Sequence, residues 1–157
     1  MFEIRRARRS DAQAIWDVRN QAILAQCLSA YPRELIDQWT GNSTPPDDFP
    51  QNAEDKFFVA LADSLIVGTG MIDLETGRID AIFVRPSHMR MGVGKRMVLH
   101  LESLATRHGL QVVTLDASLN AASFYRAMGY AGEQTSIYKS SRGIEIPCIP
   151  MTKTLTP

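Results

Sequence analysis

Residues 79–96 constrain this chain more than any other stretch, because the hydrophobic period changes inside them. Ile79, Ala81, Ile82, Phe83 and Val84 read as a strand, and Pro86 stops it because proline cannot donate to a sheet ladder. From Gly94 onward, Met97, Val98, Leu101, Leu104 and Ala105 recur at helical spacing, and His108-Gly109 supplies a C-cap. A strand that passes through a short loop straight into a helix leaves the first helical amides without partners, and such a turn can bind an anion. Gly92 and Gly94 let the backbone approach that anion, while Arg85, Arg90, Lys95 and Arg96 surround the turn with charge suited to phosphate. The Gly-Lys-Ser/Thr ending of a P-loop is missing, as are the third glycine and a convincing following acid of a dinucleotide fingerprint. The expected ligand is a phosphate-bearing molecule of another kind. The alternative is a tight turn without a ligand.

The flanking chain sets the fold class. A short strand over residues 2–7 precedes Ser10-Asp11-Ala12-Gln13, a capping box in which Ser10 covers a free amide and Gln13 reaches back. Ala14, Ile15, Val18 and Ala22 then predict a helix over residues 11–26, and Pro32 to Gly41 a second one. Residues 42–52, with three prolines, read as a long loop of the kind that carries function. Residues 57–61, 65–74 and 78–84 form three hairpin-linked strands, followed by the helix from Gly94, a strand at 112–115, a short helix at 121–128 and late strands at 134–138 and 144–151. Antiparallel runs joined to one β–α–β unit predict an α/β mixed sheet with helices on its faces. At 157 residues the chain is expected to form one domain, 1–157.

Seventeen basic and seventeen acidic side chains cancel, which argues against a general nucleic-acid or membrane-surface binder. No run of 18 apolar residues is present to span a bilayer, and the N-terminus lacks the apolar core of a secretory signal, so the expected compartment is the cytoplasm. Cys27 and Cys148 are too few and too far apart in sequence for a disulfide scaffold or zinc site, and no metal is expected.

Two motifs carry a family resemblance. Met89-Arg90-Met91-Gly92-Val93-Gly94, after Ile82-Phe83-Val84 and Pro86, resembles the Gln/Arg-X-X-Gly-X-Gly/Ala loop of the GNAT N-acetyltransferase superfamily, with Met89 departing from the family's Gln or Arg. About 30 residues later, Asn120-Ala121-Ala122-Ser123-Phe124-Tyr125-Arg126-Ala127-Met128-Gly129-Tyr130 resembles the second family motif, with a small shift in its small residue. The resemblance implies a GNAT-type central sheet, mostly antiparallel and splayed, of about seven strands flanked by about four helices. It implies acetyl-coenzyme A as donor and the primary amine of a small molecule or peptide as acceptor, joined by direct attack in a ternary complex. Ile82, Phe83 and Val84 would pair through their backbone with the pantetheine arm, as a peptide pairs with a sheet edge. The loop Met89, Arg90, Met91, Gly92, Val93 and Gly94 would take the pyrophosphate, Lys95, Arg96 or Arg126 the remaining phosphate, and Asn120 the cofactor arm.

Tyr125 is the expected general acid, lending a proton to a departing thiolate whose pKa resembles that of cysteine. Read from the residues alone, Tyr125 is an aromatic packed beside Phe124, and it is the resemblance that makes it the acid; Asn120 read alone is a helix N-cap. Asp80 is the candidate base for the amine, against a solvated strand carboxylate, with Asp73 and Glu75 nearby. Strand alternation places Asp80, Ile82 and Val84 on one face. Tyr31 and Trp39 are expected to line the acceptor pocket, with Tyr31 and Phe49 exposed, and His88, His100 and His108 on the surface. The alternatives are an acetyl-coenzyme A sensor without turnover, and a protein or aminoacyl-tRNA acetyltransferase. A homodimer is also compatible with the family.

Overall fold

Alternating apolar residues over 57–84 pair with one another as two successive hairpins. In the computed structural model, which describes residues 2–140 and 142–156, β2 (Phe57–Ala62), β3 (Leu65–Asp73) and β4 (Arg78–Val84) form this meander. Asp63 and Ser64 both take positive φ, 50° and 70°, the turn geometry that matches strand twist. β1 (Glu3–Arg6) extends the sheet beyond β2. On the other side stand β5 (Val112–Ser118), β7 (Glu145–Thr154) and β6 (Ser136–Lys139), giving the order β1-β2-β3-β4-β5-β7-β6.

β4 and β5 are parallel, and the other neighbouring pairs are antiparallel. This is the mixed, mostly antiparallel seven-stranded α/β sheet that the element order predicts. The crossover from β4 to β5 is α4 (Val93–Arg107), whose buried stripe of Met97, Val98, Leu101 and Ala105 packs on Val67, Ile79 and Val113. The opposite face is covered by α1 (Ala12–Gln26), which buries Ile15 and Val18 against Phe57 and Val59. α2 (Arg33–Trp39) and the short α5 (Ala122–Ala127) complete the helices anticipated from sequence.

Four local expectations are corrected. Residues 42–52 are not all loop: α3 (Phe49–Lys56) begins inside them, with Pro50 in its first turn, where a missing N–H costs nothing. Ser10 does not cap α1. The Asp11 carboxylate accepts the Arg8 amide at 2.8 Å and is held by Arg5 at 2.8 Å, while Gln13 turns away to Asp17 and the Ser43 carbonyl. His100 is half-buried, its ring meeting Phe58 in an edge-on contact at 5.0 Å.

β4 also departs from the regular alternation expected of it. Met71 faces Asp80 and Thr69 faces Phe83, so Ala81 and Ile82 together oppose Gly70. This is a β-bulge, and Ala81 takes φ 55° within it. The buried Thr69 hydroxyl satisfies the displaced Ala81 carbonyl at 2.7 Å. A side chain at Gly70 would collide with Met97 at 2.6 Å and Ile82 at 3.1 Å, so only glycine fits opposite the bulge. The extra residue breaks the alternation: Ile79, Ile82 and Val84 pack towards α4, whereas Ala81 and Phe83 pack towards α1. Asp80 therefore does not share a face with Ile82 and Val84.

Candidate active site

β4 and β5 share one facing pair, Arg78 and Thr114, and diverge beyond it. Past that pair, the β5-facing backbone of Ile82, Phe83 and Val84 has no strand ladder to satisfy it among the described residues. Unpaired strand groups of this kind are a template for an extended ligand. Where the strands part they open a cleft of about 480 Å³, walled by residues 79–83 of β4, by Leu115, Asp116 and Ser118 of β5, and by α1 and α5.

Past the C-terminal end of β4, Arg90 and Gly92 take φ 63° and 84°. Left-handed residues so close together bend the chain tightly, and α4 starts immediately after them, so its unpaired first amides open at this turn, where an anion can be cradled. Nothing lies within 4 Å of the position a Gly92 side chain would take, so the cradle is open there. Gly94 sits between Val84 and Phe124, at 3.5 and 3.6 Å from where its Cβ would be. Val93 points its side chain into the core, leaving its main chain to the cradle, and Met91 is 63% exposed.

The basic residues around this turn divide. Arg85 is engaged elsewhere, donating to the Ile66 carbonyl at 2.9 Å and to Gln21. Arg126 is held by the Gly132 carbonyl and Glu133. Arg90 and Lys95 are exposed without an ion-pair partner among the described residues, and Arg96 lies over the Phe2 ring at 4.7 Å. Met89 meets Gln26, whose side-chain amide lies 3.3 Å from its sulfur.

Inside the cleft, Tyr125 is 7% exposed, edge-packed on Phe124 and Tyr130. Its hydroxyl makes no hydrogen bond among the described residues, whereas the buried Tyr130 hydroxyl is tied to Glu102 at 2.7 Å. Burial, with the Asp80 charge adding, raises the Tyr125 hydroxyl well above its ordinary pKa, so it keeps its proton at neutral pH. Asp80 is shifted the same way: burial lifts its carboxyl above the usual carboxylate range, and the Ala81 amide and Arg78 offset part of the rise. A protonated phenol and a carboxyl whose pKa burial raises are an acid and a base in one pocket. Asn120 completes this wall, and its side-chain oxygen is buried without a partner, an orphan acceptor that a bound donor would satisfy.

Tyr31 and Trp39 both line the cleft, in edge contact at 5.7 Å. Tyr31 is not exposed as expected; it is 5% accessible, because its hydroxyl donates to the Pro147 carbonyl and accepts the Leu119 amide. Phe49 is likewise half-buried, stacked edge-on between Trp16 and Phe57. Sequence reasoning missed Trp16, Arg19, Arg78, Asp116 and Arg142, all of which line the same cleft. One signal was available: Arg19 follows Val18 and Trp16 at the border of the apolar stripe of α1, where a cation is out of place.

These features fit the extended, phosphate-bearing ligand expected from the sequence, because the cradle, the unpaired strand and the orphan Asn120 oxygen are all present. Among the described residues no cluster of His, Cys, Asp or Glu could hold a metal ion, and no helix is long and apolar enough to cross a membrane.

Residues 27–155 match the family described as the acetyltransferase (GNAT) domain. A Bacillus subtilis protein described as a candidate acetyltransferase is 30% identical over 74 residues, 46% of this chain and 50% of that one. The chain thus spans about half the length of the curated relative it matches. A crystal structure of a GCN5-related N-acetyltransferase from Rhodopseudomonas palustris, also described as a class-II aminotransferase, superposes with a TM-score of 0.89 at 25% identity, covering 98% of this chain and 95% of that one. YncA of Salmonella typhimurium, solved with its cofactor acetyl-CoA, shares the fold at TM-score 0.71 and 19% identity, over 100% of this chain and 95% of that one.

Proposed function

The chain belongs to the GNAT acetyltransferase family, and we propose that it is an N-acetyltransferase that moves an acetyl group from acetyl-CoA to a primary amine by direct attack in a ternary complex. The observation that carries this reading is the divergence of β4 from β5 beyond Arg78 and Thr114, which opens directly onto Asp80 and Tyr125.

Acetyl-CoA supplies a thioester carbon open to attack and a thiolate leaving group. The backbone of Ile82 to Val84 holds the donor's arm, the turn from Met89 to Gly94 with the first amides of α4 holds its pyrophosphate, and Asn120 accepts from the arm. Asp80 takes a proton from the attacking amine. As the C–N bond forms and the C–S bond breaks, the Tyr125 hydroxyl gives its proton to the departing sulfur. One proton is taken and one given, and the acid and base are re-set through solvent. Residues 1–157 act in this reading as one catalytic domain.

Titration calorimetry with acetyl-CoA, beside dephosphorylated and NAD controls, followed by thiol release over an amine panel, tests the proposal. Micromolar binding of acetyl-CoA together with amine-dependent thiol release is expected. Tight binding with no turnover of any amine would make the chain an acetyl-CoA-binding module. No binding would make the loop around Met89 a feature of the fold alone.

A further inference from the structure

The cleft holds a cation that no carboxylate among the described residues neutralises. Arg19 of α1 lies over the Trp16 ring at 4.3 Å and donates to the Asn20 side chain at 2.6 Å, but it meets no carboxylate among the described residues. The carboxylates sharing the cleft have other partners or are exposed. Asp116 is paired with Arg78 at 2.8 Å, Asp80 accepts the Ala81 amide at 2.9 Å, and Asp48 sits exposed at the start of α3.

A second guanidinium lines the same cleft. Arg142, in the turn between β6 and β7, lines the cleft and anchors one nitrogen on the Trp39 carbonyl at 3.1 Å. Burial, with the Arg142 charge next, pulls the Arg19 guanidinium down to about 10, the mark of a cation held in a partly dry site beside another cation. Placing two such groups together is costly unless an anion joins them. Guanidinium forks match carboxylates in shape and charge.

We propose that Arg19 and Arg142 form the binding site for a carboxylate carried by the acceptor, so that the substrate is an amine that also bears a carboxylate, in the manner of an amino acid. The inference rests on the reading of this cleft as the acceptor site. The carboxylate sits at the α1 and β6–β7 side, and the amine points inward to Asp80. Polyamines and polycationic amines are repelled by the same pair.

The test compares matched amines with and without a carboxylate, such as an amino acid and its amide, by thiol release, in wild type, Arg19→Gln and Arg142→Gln. The expected result is that carboxylate-bearing amines are preferred and that either substitution raises their KM about ten- to a hundredfold, the loss of a charge-assisted contact. Neutral amines should change far less, and acetyl-CoA affinity by calorimetry should hold. Equal KM for the two amine classes, or unchanged KM in both variants, overturns the proposal. Circular dichroism shows that the variants fold, and the exposed Arg142 provides a substitution that removes no core contact. If no amine is acetylated, N-acetyl amino acids are titrated against tryptophan fluorescence, since both tryptophans of the chain line the cleft. Saturable binding lost in Arg19→Gln then upholds the carboxylate site although turnover fails. Absence of binding to wild type overturns it.

Discussion

Arg78 reaches Asp116 at 2.8 Å across the closed end of the gap between β4 and β5. The bond falls beside the one facing pair of those strands, Arg78 and Thr114, so it bolts the sheet where the cleft begins. The side chains are about a third and a fifth exposed, at 33% and 21%, which limits its worth. Asp116→Asn is expected to cost about 1 kcal/mol and to lower the thermal midpoint by a few degrees, read by calorimetric melting. No change in melting would mean that the sheet ladder alone holds the closed end.

Tyr125→Phe keeps the aromatic packing on Phe124 and Tyr130 and removes only the hydroxyl. Turnover is expected to fall about a hundredfold or more, the range for losing a general acid, with acetyl-CoA affinity within a factor of about two. Parallel loss of both would assign Tyr125 to structure.

Asp80→Asn should separate stability from activity. Burial raises the folded pKa of this carboxyl, so the folded state holds its proton more tightly than the unfolded chain does. Its contribution to stability is therefore fully present below the ordinary carboxylate pKa of about 4 and is lost as pH rises through the raised folded value. At pH 7 the neutral amide removes a buried charge, so the variant is expected to melt higher than wild type while losing most acetyl transfer. The gap in melting temperature should close near pH 4. A variant that melts lower at pH 7 would show that the carboxylate stabilises the fold.

Gly92→Val places a β-branched residue at φ 84°, a left-handed conformation that costs such a residue about 1–2 kcal/mol. The space around it is open, so the chain should still fold. Acetyl-CoA binding is expected to weaken at least about tenfold, because the side chain would crowd the anion cradle. Unaltered affinity in a folded variant would place the phosphates elsewhere.

Tyr31→Phe leaves the Leu119 amide and the Pro147 carbonyl without their shared partner. Unsatisfied buried groups cost about 1–3 kcal/mol, so a lower denaturant midpoint is expected, with KM for the acceptor moved less than in Arg19→Gln. The reverse order of effects would make the Tyr31 hydroxyl a substrate contact.

Periodicity made most elements legible. The stripe of Met97, Val98, Leu101 and Ala105 and the Pro86 stop were enough for α4 and the end of β4, because burial on one face imposes the spacing. The start of α3 was hidden, since Pro45, Pro46 and Pro50 read as loop although Pro50 occupies a helical first turn. The Gly-X-Gly turn and Asn120 to Tyr125 were readable because their chemistry is local, a backbone conformation and a short helix. Arg19 and Arg142 are 123 positions apart, and no local pattern joins them.

Local chemistry thus settled the sheet class, the β4–α4 turn and the Tyr125 helix, since each depends on neighbours a few residues away. Only the tertiary structure decided what faces what. An extra residue opposite Gly70 turns Asp80 out of the register of Ile82 and Val84, and a diverging strand pair places it in a cleft with Tyr125. Packing of α1 and the β6–β7 turn then brings Arg19 and Arg142 to the walls of one cleft. A side chain's charge state and partners follow from its burial and from residues distant in sequence, and those are properties of the folded sheet.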